Sequence, residues 1–116
     1  DCMRKIYNKL VRDRIPAIIQ SECRDCQTRR LTSAEYQTEL KAKLVEEARE
    51  VQEASDRKAF IEELADLSKV LDAMMDFFEI DATEIQAVKD AKAQTRGRFK
   101  DRIFLEFTEN KDEPSA

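Results

Sequence analysis

Apolar residues recur every three or four positions through the middle of the chain, which is the period of a helix with one buried face. The clearest run follows Ser55 and Asp56, which break the preceding pattern and can cap a new helix. Its apolar members are Phe60, Leu64, Leu67, Val70, Leu71, Met74 and Phe78. The pattern predicts a long amphipathic helix that begins near Asp56.

The segment before this run carries the signals of another long helix. Thr32 can act as its N-cap, with Glu35 three residues later as the capping-box partner. Leu31 and Tyr36 are spaced for a hydrophobic staple. We therefore expect a helix over about residues 33–54. The connector to the next helix is too short for anything but an antiparallel pair.

Signals outside this pair predict shorter elements. Pro16 suits the first turn of a short helix in "RIPAIIQSE". Asp81 is the expected N-cap of a further helix, with Glu84 as its capping-box partner, and Gly97 ends that helix. The following "RIFLEFTE", residues 102–109, alternates apolar with other residues and predicts a short terminal β strand.

The composition limits the chain to one helical domain. It has 116 residues, of which one is glycine, two are proline and 40% are charged. A chain of this size buries one core, and few helix breakers favour helices. We therefore predict an all-α fold and a single domain over residues 1–116, with a disordered tail from about 109 to 116.

Charge and hydropathy exclude several kinds of partner. The net charge of −4 argues against a nucleic-acid polymer, because proteins that bind its backbone usually carry excess Lys and Arg. No apolar run approaches the roughly 20 residues of a membrane span, and the N-terminus lacks the apolar stretch of a signal peptide. Cys2, Cys23 and Cys26 have no second pair and no histidine for a zinc site, so we expect free thiols in a reducing cytoplasm.

Acidic residues on the two long helices are placed to meet. At about 100° per residue, Glu63 falls inside the apolar stripe of its helix, where a solvated role is excluded. Asp66 lies about 60° from Glu63 and one turn along, so the two carboxylates can converge. Glu47 and Glu50 are also within about 60° of each other on the preceding helix. The antiparallel pair therefore brings two carboxylate pairs across one contact.

A cluster of four anions is strongly unfavourable unless a cation joins it or some groups are protonated. Hard divalent metals prefer all-oxygen ligands, and Mg²⁺ usually lies between a few carboxylates and substrate phosphates. The chain contains no histidine, which excludes the Glu-x-x-His ligation of di-iron bundles and His-based acid–base chemistry. The sequence predicts a carboxylate site for Mg²⁺, with Mn²⁺ as a substitute.

These residues resemble the signature of the MazG-type all-α nucleoside triphosphate pyrophosphohydrolases, a superfamily that includes dimeric dUTPases and phosphoribosyl-ATP pyrophosphohydrolase. The signature E-E-x-x-E followed by E-x-x-D reads here as "EEARE" and "ELAD". The terminal "YNKLVRDRIPAII" and "RGRFKDRIFLE" resemble a single-domain branch described as house-cleaning enzymes. The resemblance covers nearly the whole chain, except the connector over residues 23–30 and the tail.

The resemblance implies a bundle of antiparallel long helices that hydrolyses a nucleoside triphosphate, non-standard or damaged, between its α and β phosphates. The products would be the nucleoside monophosphate and pyrophosphate. The implied metal ligands are Glu47, Glu50, Glu63 and Asp66, with Glu46 as a group that orients or activates the water. Basic residues of the two terminal segments are candidates to hold the phosphates, namely Lys9, Arg12, Arg14, Lys92, Arg96 and Arg98.

Two alternative functions are compatible with the same residues. The substrate can instead be phosphoribosyl-ATP, because the enzyme that hydrolyses it belongs to the same superfamily. A non-catalytic helical interaction module, with its acidic pairs as surface ion-pair partners, is the alternative from another class. In either case the amphipathic pair has too little partner surface within one chain, so we expect a homodimer or homotetramer that completes a helical core.

Overall fold

Helices form wherever the apolar period and the capping signals agree. The computed structural model describes residues 3–111, and this part of the chain contains four α-helices. They are α1 (Ile15–Ser21), α2 (Ser33–Glu53), α3 (Arg57–Phe78) and α4 (Ala82–Arg96). The predicted all-α fold is confirmed. Most of the predicted tail, residues 112–116, and Cys2 lie outside the described residues.

The start of α2 is fixed by the predicted capping box. Thr32 Oγ1 accepts a hydrogen bond from the Glu35 N–H at 3.2 Å, and Glu35 Oε1 accepts one from the Thr32 N–H at 3.0 Å. Arg29 adds two hydrogen bonds to the same carboxylate, at 3.1 and 2.9 Å. The bonds from Arg29 and then from Thr32 lower the pKa of Glu35 to about 2. The helix is therefore anchored to the connector that precedes it.

The α2–α3 pair contains the core of the first unit, which ends at Ile80. Only residues 54–56 separate the two helices, and Asp56 caps α3 by accepting from the Ala59 N–H at 2.8 Å. The pair is antiparallel, because Tyr36 near the start of α2 meets Phe77 near the end of α3, edge to face at 5.1 Å. Leu40 and Val70 are its buried apolar residues.

The second unit begins at Asp81 and contains α4. Asp81 caps this helix as expected, but its carboxylate accepts from the Thr83 N–H at 3.0 Å and forms no capping box with Glu84. Gly97, with a φ of 81°, ends the helix. Such a φ suits glycine, which has no Cβ to clash.

The predicted terminal strand is wrong. Residues 98–111 follow α4 without regular structure, and no strand occurs between residues 3 and 111. The large apolar side chains of this segment, from Phe99 to Phe107, are mostly exposed. Alternation of apolar residues describes a strand with one covered face, but a strand also needs a neighbour for its backbone hydrogen bonds.

Candidate metal centre

Helix geometry brings Glu47 and Glu63 to the same level of the α2–α3 pair, with Glu50 and Asp66 one turn away. Glu50 and Glu47 lie about 4.5 and 9 Å before the end of α2, at 1.5 Å per residue. Glu63 and Asp66 lie about 9 and 13.5 Å beyond the start of α3. Since the helices run in opposite directions from a short connector, positions at equal distance from it face each other.

The four carboxylates form one cluster. One oxygen from each of Glu47, Glu50, Glu63 and Asp66 can be chosen so that all four atoms lie within 4.8 Å of one another. Glu47 is buried, with 6% of its surface exposed, and the other three are half-buried. Like charges at this separation repel strongly when water is partly excluded. The arrangement is therefore one that a bound cation would stabilise.

Two oxygens of the cluster lack partners. Glu47 Oε2 and Glu63 Oε2 are buried and accept no hydrogen bond from any of residues 3–111. A buried polar atom without a partner costs free energy, and a buried anion costs more. A metal ion would satisfy both oxygens, and a donor set made only of carboxylate oxygens suits a hard divalent cation. The residues present thus fit such an ion.

The pKa values of two neighbouring glutamates move in opposite directions. Burial raises the pKa of Glu47, and the nearby, like-charged carboxylate of Glu50 raises it further, while Lys43 opposes them. For Glu46, burial also acts to raise the pKa, but hydrogen bonds and charges from Lys9 and Lys43 outweigh it and leave the pKa lowered. Glu47 therefore resists ionisation without a cation, whereas Glu46 stays ionised at neutral pH.

Basic side chains line the edge of the cluster. Lys9 Nζ donates to Glu46 Oε1 at 3.0 Å, and an Arg12 guanidinium nitrogen donates to Asp66 Oδ1 at 2.6 Å. These contacts hold the N-terminal segment against α2 and α3. Of the six predicted phosphate-binding residues, Arg12 therefore contacts the cluster itself, and Lys9 contacts the neighbouring Glu46.

The other four basic residues are exposed. Arg14 lies at the N-cap of α1, and within residues 3–111 it makes no ion pair with a carboxylate. Lys92, Arg96 and Arg98 belong to the second unit, in the last turns of α4 and just after Gly97. Their predicted role in phosphate binding stays a prediction.

A shallow groove opens beside the cluster in the first unit. Its volume is about 280 Å³, and it is lined by Glu50, Glu53, Ala54, Ser55, Ala59 and Glu63. The small side chains at the α2–α3 connector leave this space open. It gives solvent, and any ligand, access to two of the four clustered carboxylates.

Lys43 is a site residue that the sequence reasoning missed. Its Nζ lies 3.5 Å from Glu46 Oε2 and 3.4 Å from Glu47 Oε1. The spacings of three and four residues on one helix would have revealed both contacts. Such Lys–Glu spacings are common on exposed helix faces, so they draw no attention unless the glutamates are already known to be buried.

The class of protein follows from this fold and cluster together with a family match. The family model of phosphoribosyl-ATP pyrophosphohydrolase matches residues 12–92, a range that includes all four clustered carboxylates. The chain therefore belongs to that family, within the MazG-like nucleotide pyrophosphohydrolase superfamily, and the resemblance noted in its sequence is confirmed. Comparison with curated proteins and with solved structures gave no match.

Membership of this family identifies a hydrolase that acts on the phosphoanhydride bond of a nucleotide-like substrate. Among the helices of residues 3–111, none combines the length and the apolar character that crossing a membrane requires.

Proposed function

We propose that the protein hydrolyses a non-standard or damaged nucleoside triphosphate between the α and β phosphates, with Mg²⁺ as the required ion and Mn²⁺ as a substitute. The products are the nucleoside monophosphate and pyrophosphate. The observation that supports this most strongly is the convergence of four carboxylates with two buried oxygens that lack partners. A scaffold would gain nothing from such an arrangement, since apolar residues of similar size are cheaper to bury.

The proposed ligands of the ion are Glu47, Glu50, Glu63 and Asp66. When bound, Mg²⁺ would polarise phosphoryl oxygens and lower the pKa of a bound water. Glu46 lies beside this set, and its lowered pKa keeps it ionised, so it can accept a hydrogen bond from the attacking water and orient it. Its two oxygens are themselves held by Lys9 and Lys43, which fixes its position.

Basic residues would supply the positive charge that stabilises pyrophosphate as the leaving group. Arg12 is 59% exposed and uses one of its nitrogens on Asp66, so its remaining donors are free for phosphate oxygens. Lys9 contacts Glu46, which adjoins Glu47 in the sequence. The same role is proposed, on the basis of charge, for Arg14, Lys92, Arg96 and Arg98.

Phosphoribosyl-ATP is a second candidate substrate, because the matching family model is that of phosphoribosyl-ATP pyrophosphohydrolase. Cleavage of this molecule breaks the same kind of bond and also releases pyrophosphate. It carries an additional phosphorylated ribose, which would need further cations.

The test is a substrate panel measured with Mg²⁺ and with EDTA. The panel contains ordinary and damaged nucleoside triphosphates and phosphoribosyl-ATP, and pyrophosphate and orthophosphate are quantified separately. We expect pyrophosphate as the first product and an activity that depends on the metal. The Glu63→Gln variant should show no activity. Orthophosphate as the first product would refute cleavage between the α and β phosphates. Inactivity on the whole panel, with no response to metal, would favour a non-catalytic interaction module.

We also propose that the protein acts as a homodimer or homotetramer. Leu40 and Val70 are the buried apolar residues among residues 3–111, whereas Ile61, Leu64 and Leu71 on α3 are about half exposed. A core this small is insufficient for a domain of this length. Sedimentation of the parent and of Leu64→Glu tests the proposal, with a lower mass expected for the variant. A monomeric parent would refute it.

A further inference from the structure

Lys43 contacts two neighbouring glutamates of α2, Glu46 and Glu47, of which only Glu47 belongs to the carboxylate cluster. Its side chain is only 17% exposed, and its Nζ lies between Glu46 and Glu47. Glu46 has a second cation, Lys9, at 3.0 Å. Lys43 is the cation in contact with Glu47 among residues 3–111, so its removal leaves Glu47 without one, whereas Glu46 keeps Lys9.

The two oxygens of Glu47 are in different states. Oε1 faces Lys43 at 3.4 Å, while Oε2 is buried and without a partner in the described part of the chain. Because both residues lie on one helix, four positions apart, the helix keeps the ammonium close to the Glu47 carboxylate. A cation at the cluster would therefore meet Glu47 through Oε2 alone.

We propose that Lys43 is a positioning residue that keeps Glu47 a one-oxygen ligand and thereby favours Mg²⁺ over Ca²⁺. This inference rests on the proposed function, since it concerns the same metal site. Mg²⁺ requires near-ideal octahedral geometry with about six ligand atoms at 2.0–2.1 Å. Ca²⁺ takes about six to eight oxygens at 2.3–2.6 Å, often with both oxygens of one carboxylate. Occupying Oε1 removes the additional oxygen that Ca²⁺ would use.

Two simpler roles for Lys43 make different predictions. If it acts only as a nearby positive charge, its removal strengthens binding of Mg²⁺ and Ca²⁺ equally, because the two ions carry the same charge. If it acts only through the packing of its methylene chain, its removal changes stability and leaves both affinities unchanged. The ratio of the two affinities therefore separates positioning from both alternatives.

The experiment is calorimetric titration of the full chain with Mg²⁺ and with Ca²⁺, without substrate and at matched ionic strength. Lys43→Met keeps most of the length of the side chain and removes the donor, and Lys43→Leu removes the donor with a shorter side chain. Lys43→Arg restores a charged donor. Lys41→Met, at an exposed position of the same helix, is the matched control. Circular dichroism establishes that each variant is folded.

We expect Lys43→Met and Lys43→Leu to shift the ratio of Mg²⁺ to Ca²⁺ affinity toward Ca²⁺ by roughly tenfold, a usual effect of losing a group that orients a ligand. Lys43→Arg should restore most of the parent ratio, and Lys41→Met should leave it unchanged. An equal change for both ions, or no change, would overturn the role of Lys43 and leave the metal site intact. A parent that binds neither ion would overturn the metal site itself, and this inference with it.

Discussion

Replacement of Glu63 by glutamine gives the sharpest test of the acidic cluster. Glu63 has one buried oxygen without a partner, and it lies within 4.8 Å of three other carboxylates when one oxygen is taken from each. The amide keeps the shape of the side chain and removes one negative charge. We therefore expect the metal-free variant to be more stable than the parent, which is the opposite of most substitutions at partly buried positions.

The size of the effect follows from the charges. Two unit charges 4.8 Å apart interact by about 3.5 kcal/mol at an effective dielectric constant near 20. Lys43 and Arg12 lie at 3.4 and 2.6 Å from two of the carboxylates and offset much of the repulsion. We expect a net gain of about 1 to 2 kcal/mol in the free energy of unfolding, or about 4 to 8 °C in Tm for a domain of this size.

Mg²⁺ should raise the Tm of the parent more than it raises the Tm of Glu63→Gln. At about 100 times its dissociation constant, an ion that binds only the folded state stabilises the parent by about 2.7 kcal/mol. That corresponds to a rise of about 10 °C in Tm. In Glu63→Gln the rise should fall to less than half, because one ligand has lost its charge.

Thermal melts with EDTA and with Mg²⁺, at matched ionic strength and protein concentration, measure both effects. Glu62→Gln is the control, since Glu62 precedes Glu63 on the same helix and is exposed. It should melt like the parent under both conditions, because an exposed charge contributes little. The same response to Mg²⁺ in all three proteins would refute the cluster as a metal site.

Three further outcomes are expected. Arg12→Ala and Arg96→Ala should each raise KM by roughly tenfold with little change in Tm, since loss of a charged phosphate contact costs about 1 to 3 kcal/mol; unchanged KM values, equal to that of the control Arg24→Ala, would exclude them from substrate binding. Because Arg29 and Thr32 lower the pKa of Glu35 to about 2, Glu35 stabilises the folded state above pH 4.5 and loses that effect as the pH falls toward 2. The stability difference between the parent and Glu35→Gln, followed by urea unfolding, should therefore shrink over this interval; a constant difference would contradict the ion pair. Leu40→Ala should lower the free energy of unfolding by about 2 to 5 kcal/mol, because Leu40 is 1% exposed. The control Val45→Ala, at an exposed position of α2, should change it little. Similar losses in the two variants would place the core elsewhere.

Features that depend on a few neighbouring residues could be predicted from the sequence. The capping box of Thr32 and Glu35 and the cap formed by Asp56 depend on residues three positions apart, and both appear as expected. Convergence of the four carboxylates follows from helix periodicity and a short connector, which together fix the level and direction of each side chain. These inferences needed no knowledge of the rest of the chain.

Features that depend on distant partners could not be predicted in this way. Arg12 contacts Asp66 across 54 residues of sequence, and nothing in the local pattern selects that carboxylate among the many in the chain. The segment after Gly97 alternates like a strand, yet strand formation needs a backbone partner that local alternation does not supply. At α4, the choice between the Thr83 and Glu84 N–H groups depends on the torsion of one side chain, which the sequence does not specify.

The short connector between α2 and α3 has a consequence for how the protein folds. Because all four carboxylates and Lys43 belong to one helical hairpin, they come together through contacts that are local in sequence, and such contacts form early. Helices and short loops form in about a microsecond or less, well before chains can associate. Repulsion among the carboxylates therefore acts on the folding hairpin itself. Divalent cations in the surrounding solution would then influence the rate at which the chain folds as well as the stability of its native state.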